Sequence, residues 1–582
     1  MSTPTAQLIR VEHVDDLPVL WATLSRLNLP QLLDRFYPTH PLWAGDLSFG
    51  EVLSVWLAFL LSQGDHRLNR LQPWVEAHLL TLQTLLGKPV RPLDFHDDRL
   101  ADLLSALPQA ETWIDFETHL NQHTVRVYDL KPSQFRLDST TANSHADVVS
   151  EHGLLPFGHS KDRADLPQLK IAVAALDPLG MPVSTLVVPG HCADDPLYLP
   201  QIQQVQQAFG KGGKTYISDC KGSALAIRAY LASTNDYYLS PLSEKQFSRK
   251  QRREQIQRVQ RGEQALQPVY RPTEKPAETP ELVAEGFVLE TPLEALVQGR
   301  SISWSERRWL VRSVAFAESQ QKHLEERVPR AEEELQQLGE RKQGKRVLSA
   351  SQMQEAASAL LVKHRVEGLV RAEVQTKRQE QIRRRYGNRP EQVVVGETHR
   401  GETQRQEEAI QEAKAELGWQ VYASNNPTLP LAGVVWSYRG QYQIEKGWSR
   451  LKGKPLSLTP IYLADEERIL GLVLLLSLAL RVLTLLQGTV RRKLQESGES
   501  LQGIYAGQSG RKTKSPSAEL LLEAFRGISL SVLEIAGERI VLLTGLSELQ
   551  RRLLALWDWP ADLYQRLAAN HIAEPPTAMS ER

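Results

Sequence analysis

Three acidic residues in this chain have the type and placement needed to hold a divalent metal. Asp138 closes the short apolar run Phe135-Arg136-Leu137, and Asp219 closes Tyr216-Ile217-Ser218. Far downstream, Glu445 follows Tyr442-Gln443-Ile444. Acids at the ends of two neighbouring strands and on a covering helix present hard oxygen ligands. Magnesium takes a few such ligands together with water and a substrate phosphate, so the chemistry such a trio serves is phosphoryl transfer.

The segment around Glu445 adds a spacing argument. At about 100° per residue, steps of four and seven return to nearly the same side of a helix. A single helix would then carry Tyr438, Gln441, Glu445 and Lys452 on one polar stripe, with Ile444, Trp448 and Leu451 leaning toward the core. Tyr438 to Lys454 holds five basic residues against one acid, which suits a DNA backbone. A Glu and a Lys two turns apart are ordinarily a solvated pair, and only their conjunction with the two strand-end aspartates raises them above that. Trp448 is expected to pack in the core before it stacks on a base. His145 and Asp147 are expected in a polar loop. Lys161, Asp162 and Asp165 fit either a turn or a DNA-facing loop, and Cys220 reads as a small buried residue.

The elements that must position these side chains follow from periodicity. Residues 1–130 show helical spacing and form an α-helical N-terminal domain, whose polar stops at Gln63-Gly64-Asp65-His66 and Asp94-Phe95-His96-Asp97-Asp98 are turn and cap chemistry without metal-ligand spacing. From 131 the period changes. Strands are expected at Gln134–Asp138, Lys170–Leu176, Pro182–Val188, Lys214–Asp219 and Asp236–Ser240, with Asp177-Pro178-Leu179-Gly180 turning a hairpin. Helices at Leu197–Phe209 and Ser223–Ala232 complete a mixed α/β sheet covered by helices.

That sheet is interrupted by an α+β insertion, 241–414, before the chain returns at 415–486. Pro272, Pro276 and Pro280 mark an extended connection, and Ser301–Phe316 reads as paired strands. Ala317–Tyr386 reads as a charged helical hairpin broken at Pro329 and Gly344, with a cap pattern at Ser351–Gln354. Its charges are expected to form a solvated face; only Arg249-Lys250-Gln251-Arg252-Arg253 and Arg383-Arg384-Arg385-Tyr386 are one-signed enough to meet DNA. The tail, 487–582, has a polar linker at Gly507–Ser517 and two amphipathic helical stretches, Ala518–Leu533 and Leu546–Trp557, and is expected to be α-helical with a possible role in multimerisation.

Composition bounds the partners. At 582 residues the chain calls for several domains, and 69 Lys and Arg against 69 Asp and Glu leave no net charge, so nucleic-acid binding must rest on local patches. Two cysteines are too few for a disulfide framework or a cysteine-based zinc site, which fits a reducing compartment and makes the cytoplasm the expected location. The start lacks a secretory signal pattern. Ile469–Leu480, followed by Arg481 and Val482–Leu486, reads as a buried helix in preference to a bilayer span, and no membrane partner is expected.

The order Asp138, Asp219, Glu445, the last inside Tyr438-x-x-Gln441-x-x-x-Glu445-x-x-x-x-x-x-Lys452, resembles the DDE transposases of bacterial insertion sequences that carry the Tyr-Arg-Glu-Lys signature. Gly158–Leu166 and the end of the N-terminal region near Asp97-Asp98-Arg99-Leu100 are similar to that family too. The resemblance implies a ribonuclease-H-like catalytic core split by an insertion between the second aspartate and the glutamate. It also implies two magnesium or manganese ions, about 4 Å apart, with Asp138 shared between them and Asp219 and Glu445 on one each. Tyr438, Gln441, Lys452, Arg439, Arg450 and Trp448 become candidate DNA contacts, and the partners become double-stranded DNA (terminal inverted repeats and target) and a second copy in a homodimeric complex. The implied activity is cleavage at element ends with strand transfer. A related nuclease without strand transfer, or a non-catalytic DNA-binding relic, would share the pattern. The departure is Gln441, where the family pattern has Arg: a glutamine can hydrogen-bond a phosphate but brings no charge.

Overall fold

The computed structural model describes residues 6–40, 43–145, 153–158, 163, 165–272, 280–338, 348–383, 387, 392–535 and 537–569. The chain divides into two units, the first made of residues 1–240, 294–304 and 437–582 and the second of 241–293 and 305–436.

The first unit opens with β1 (Ala6–His13), followed by α1 (Leu17–Arg26), α2 (Leu29–Phe36), α3 (Phe49–Gln63), α4 (Leu68–Ala77), α5 (Leu79–Leu86), α6 (Asp97–Ala106) and α7 (Ala110–Val127). Helix α3 starts where Ser48 and Glu51 cap each other reciprocally, and nearly every side chain along it is buried. The sheet region then runs β2 (Gln134–Asn143), β3 (Gln168–Leu176), β4 (Met181–Pro189), α8 (Asp195–Phe209), β5 (Thr215–Ser218), α9 (Leu225–Ser233) and β6 (Tyr237–Pro241). These strands lie in the order β4-β3-β2-β5-β6. β2, β3 and β4 are antiparallel neighbours, whereas β5 runs parallel to both β2 and β6. Each expected element from Gln134 to Ser240 is present, because short apolar runs separated by turn residues leave little freedom in assignment.

The second unit contains α10 (Arg249–Gln260), β7 (Gln267–Tyr270), β8 (Leu282–Val297) and β9 (Arg300–Ser313) apart from residues 294–304, α11 (Val314–Gln337), α12 (Ala350–His364), β10 (Val370–Arg383), β11 (Gln392–Arg405), α13 (Glu407–Ala415) and β12 (Trp419–Ser424). One of its cores gathers Phe247, Ile256, Phe287, Leu310, Trp419 and Val421. Another gathers Leu324, Val328, Leu335, Val366 and Val370. Several expectations change here. Helix α11 passes through Pro329, the cap of α12 is the Ser349–Gln352 pair two residues before the expected one, and Gly344, Pro276 and Arg384–Tyr386 fall outside the described residues. Val370–Arg383 is a strand, paired residue for residue with β11. Its high charge masked a period-two alternation in which Val370 and Ala372 pack on the helices. The unit also extends to Trp436 instead of ending at 414, since β12 pairs with β9.

The chain continues through α14 (Leu431–Arg439), α15 (Tyr442–Lys452), α16 (Glu466–Ser497), β13 (Leu501–Gln502), β14 (Lys512–Thr513), α17 (Ala518–Glu523), β15 (Ser529–Ile535), β16 (Glu538–Leu543), α18 (Glu548–Leu556) and α19 (Gln565–Ala569). Helix α16 has 32 residues, is capped by Asp465, and ends at Gly498 in the left-handed conformation. By length and composition it is long and apolar enough to cross a bilayer, yet it is almost wholly buried within the first unit, against α3, α6, β4, α15 and α17. Its Arg481 donates to the Asn121 side-chain oxygen at 2.8 Å and faces Glu117 at 3.9 Å. Asn121 in turn donates to the Val183 carbonyl at 2.6 Å, and the hydroxyls of Thr185 and Ser477 pair at 2.6 Å. A polar thread therefore ties α7, β4 and α16 through an otherwise apolar interior. Burial raises the Glu117 carboxyl to about 7, more than the attraction of Arg481 lowers it.

The two ends of the unit are not purely helical, as expected for 1–130 and 487–582. β15 pairs antiparallel with β1 and with β16, so Ala518–Leu533 is a short helix followed by a strand. A strand whose partner lies more than 500 residues away leaves only a weak local signature.

Asp16 provides a pH test of this packing. Burial pushes its carboxyl up from 3.8 to about 6, against the opposing Ser62 hydroxyl and Arg526 charge; the Ser62 hydroxyl donates to it at 2.6 Å. A folded value above the unfolded one contributes stability that is full below about pH 4 and lost as the pH rises through about 6. Asp16→Asn should leave stability at pH 4 nearly unchanged and raise it at pH 7 by up to about 3 kcal/mol, measured by urea unfolding across that interval.

Candidate functional site

The register between β2 and β5 determines where the first two acids sit. Leu137 is matched with Ser218 on parallel neighbouring strands, so Asp138 and Asp219 each lie one step beyond that pair, side by side. The third acid arrives by way of an indole. Trp448 on α15 donates its Nε1–H to Asp138 Oδ2 at 2.9 Å, and Glu445 lies three residues before it, on the same side of the helix, with its side chain exposed.

All three carboxylates act on one phenol. Tyr438 is pushed up to about 12, first by burial and then by the negative charges of Asp219, Cys220, Asp138 and Glu445. Segments separated by hundreds of residues thus bring their charges to bear on one point in the first unit. The trio is open, however. Among the described residues, only His96, Asp97 and Asp98 place three ligand atoms within 4.8 Å of one another, so Asp138, Asp219 and Glu445 are not closed to the spacing of a single ion's shell. The His96 group is a helix start: His96 Nδ1 accepts the Arg99 N–H at 3.2 Å and caps α6.

Uncharged donors orient the first two acids. Asp138 Oδ1 accepts the Ser139 N–H at 2.9 Å. Asp219 Oδ1 accepts both the Tyr198 hydroxyl at 2.7 Å and the Lys221 N–H at 2.9 Å. A nearby acid, Asp194, is differently placed, for its Oδ1 takes the Ser139 hydroxyl at 2.9 Å and the Lys170 ammonium at 2.8 Å. The donor set of hard carboxylate oxygens, oriented by neutral groups and reaching solvent through Glu445, fits magnesium or manganese.

The stripe expected on one helix is interrupted. α14 ends at Arg439, and α15 begins at Tyr442 after a tight turn at Gly440–Gln441, where Gln441 N–H donates to the Tyr438 carbonyl at 3.0 Å. Arg136 lies against this turn. It is 2% exposed and binds Asp177 through Nε at 2.7 Å and Nη2 at 3.1 Å, and its guanidinium presses on the turn so closely that a Cβ at Gly440 would come within 2.1 Å of Nη2. Tyr438 and Glu445 therefore reach the same place from different helices.

Several of the expected DNA contacts are used inside the unit. Trp448 is 9% exposed, with its polar edge given to Asp138, so it positions an acid instead of stacking on a base. Arg450 binds Glu519 through Nε at 2.8 Å and Nη2 at 3.0 Å, and reaches Gln487 at 2.7 Å. Although burial alone would raise it, the Glu519 carboxyl is held low by that guanidinium. Gln441 caps α15 with its side-chain oxygen buried and unbonded among the described residues. Arg439 and Lys452 are half-buried at the ends of α14 and α15. The basic run at Arg249–Arg253 is largely paired, Arg249 and Arg253 with Glu416 and Arg252 with Glu244. Cys220 is exposed where it was expected to be buried, since β5 ends at Ser218. Asp147, Lys161 and Asp162 lie outside the described residues; His145 rests at the end of β2, donating its N–H to the Ile461 carbonyl at 2.8 Å, and Asp165 pairs with Arg163 at 2.7 Å. Sequence reasoning missed Tyr198, Lys170 and Asp194; a tyrosine on the buried stripe Leu197-Tyr198-Ile202-Val205 was the available signal, because a buried phenol needs an acceptor.

No protein-family model and no curated protein matches the sequence. Among solved structures, the chain is similar to a piggyBac transposase in a synaptic complex with hairpin DNA, determined by electron cryo-microscopy, with a TM-score of 0.35 and 6% identity over 97% of this chain and 87% of that one. A likeness at that level assigns neither the fold nor the activity.

The turn between α14 and α15 makes a direct prediction. Gly440→Ala places a methyl against a buried, ion-paired guanidinium that has no room to retreat. It should destabilise the first unit by about 1–3 kcal/mol in urea unfolding, whereas Gly210→Ala, where nothing lies within 4 Å, should act only through its backbone conformation.

Proposed function

We propose that the chain is a DDE-type DNA transposase that cleaves DNA at the ends of an insertion sequence and transfers the strand to target DNA, with Asp138, Asp219 and Glu445 as its metal-holding catalytic acids. The observation that carries this reading is the placement of Asp138 and Asp219 side by side beyond the Leu137–Ser218 pair, with the Glu445-bearing helix joined to Asp138 through Trp448. The strand order, three antiparallel strands followed by two parallel ones, supports a ribonuclease-H-like core.

When bound, magnesium or manganese would activate a water or a DNA 3′ hydroxyl and stabilise the leaving oxygen of an in-line displacement. The side chains do the rest. Asp138 and Asp219 are oriented by the Trp448 indole and the Tyr198 hydroxyl, which donate to their oxygens. Tyr438 remains a phenol at neutral pH, since three anions resist its ionisation, and so serves as a hydroxyl donor to a phosphate oxygen. Lys452 supplies a point charge, Arg439 a planar one and Gln441 a neutral hydrogen bond near the cleaved end. The partners under this reading are duplex DNA carrying terminal inverted repeats, target DNA, and a second copy of the chain to hold the second end. The place of action is the cytoplasm, at the nucleoid.

The test uses duplex DNA taken from the flanks of the reading frame, labelled at its 3′ end, with magnesium. The wild-type chain should nick the end and join it to a second duplex. Asp138→Asn, Asp219→Asn and Glu445→Gln should each lower cleavage roughly a hundredfold or more while leaving DNA retention in a gel-shift unchanged. Cleavage by Asp138→Asn at the wild-type rate refutes the assignment, and nicking without a joined product refutes transposition in favour of simple hydrolysis.

A further inference from the structure

Asp219 is held from one side only. Both hydrogen bonds it receives among the described residues, from Tyr198 and from the Lys221 N–H, fall on Oδ1, so Oδ2 is turned away from the protein's own donors. Tyr198 is 2% exposed on the first turns of α8. Its ring packs against the loop that follows β5, where a Cβ at Gly222 would lie 2.2 Å from Ser218 Oγ and 3.5 Å from Tyr198 Cδ1. The glycine leaves room for the Ser218 side chain within that loop, and the phenol ring lies at ordinary contact distance. Burial, and then the charge of Asp219, raise the phenol far above its ordinary value.

On the reading of Asp219 as a metal ligand, we propose that Tyr198 is a positioning residue that rotates the carboxylate so that Oδ2 points toward the bound metal and Oδ1 does not. A carboxylate on a short loop has a freely turning terminal bond, and a buried donor removes that freedom before the ion arrives. Outer partners of this kind are worth roughly 10–100-fold in metal affinity. Tyr198 itself makes no contact with the substrate; it acts through Asp219.

The experiment titrates the full chain with Mn2+ alone, reading free Mn2+ by electron paramagnetic resonance, and follows thermal unfolding in parallel. Wild type, Tyr198→Phe and Asp138→Asn are compared. Phenylalanine keeps the ring and its packing, so Tyr198→Phe is expected to unfold within a few degrees of wild type while its Mn2+ dissociation constant rises roughly tenfold or more. A Tyr198→Phe protein that binds Mn2+ as tightly as wild type overturns the positioning role and leaves the metal site standing. Wild type that binds no Mn2+, or Asp138→Asn that binds it like wild type and so points to an ion elsewhere such as His96–Asp98, overturns the metal reading and the role of Tyr198 with it. If the phenylalanine variant proves unstable, Gly222→Ala, which crowds Ser218 beside Asp219 and so shifts the carboxylate relative to the Tyr198 hydroxyl, should weaken Mn2+ binding in the same direction; unchanged binding there counts against the proposal equally.

Discussion

A helix that is apolar all round has to be covered all round, and α16 places that demand on the first unit. From Ile469 to Leu486 almost every side chain is buried, so no single layer can satisfy it. The N-terminal helices α3 and α6, the strand β4, the tail helix α17 and the Glu445-bearing helix α15 all pack on α16. Burial of apolar surface is non-directional, and it brings these elements together without fixing their angles. The polar thread supplies direction: Arg481 bonds Asn121 and faces Glu117 at one orientation of α7 to α16, and a misregistered helix would leave a buried charge unpaired.

That enclosure has a consequence at the sheet edge. Because α15 is held between α16 and β2, the indole of Trp448 meets Asp138, and Glu445 is carried to the same region from a part of the chain that the second unit separates from the sheet. Arg136 lies at the other end of the same junction, against the turn at Gly440 from which Tyr438 enters on α14. Packing, an ion pair and a missing side chain thus combine to bring three anions toward one phenol. Like charges brought together in a partly desolvated place are costly unless something neutralises them. Asp194, close by, has the Lys170 ammonium within 2.8 Å.

The basic residues follow the same logic. Arg450 and the cations of α10 looked available for DNA when judged by charge alone, yet most have acidic partners across the fold. A count of charges in a segment says nothing about which are paired by residues far away in sequence. Trp448 makes the same point for aromatics: its ring is packed and its N–H is spent on an aspartate.

What the sequence determined by itself was local. Alternating apolar runs set the strands from Gln134 to Ser240, turn residues placed the hairpin at Asp177–Gly180, and the unbroken apolar stretch after Ile469 marked a buried helix, because each of these signals is contained within a few consecutive residues. Asp138, Asp219 and Glu445 stood out for the same reason, as acids directly after apolar runs. Only the tertiary structure decided the matters that depend on distant partners: that β1 and β15 join the two ends of the chain, that Val370–Arg383 is a strand, that Arg136 packs against the turn dividing one expected helix into two, and that Tyr198 holds Asp219. The physical reason is that hydrogen bonds, ion pairs and steric exclusion act over a few ångströms of space, and the residues they join here lie from tens to hundreds of positions apart along the chain.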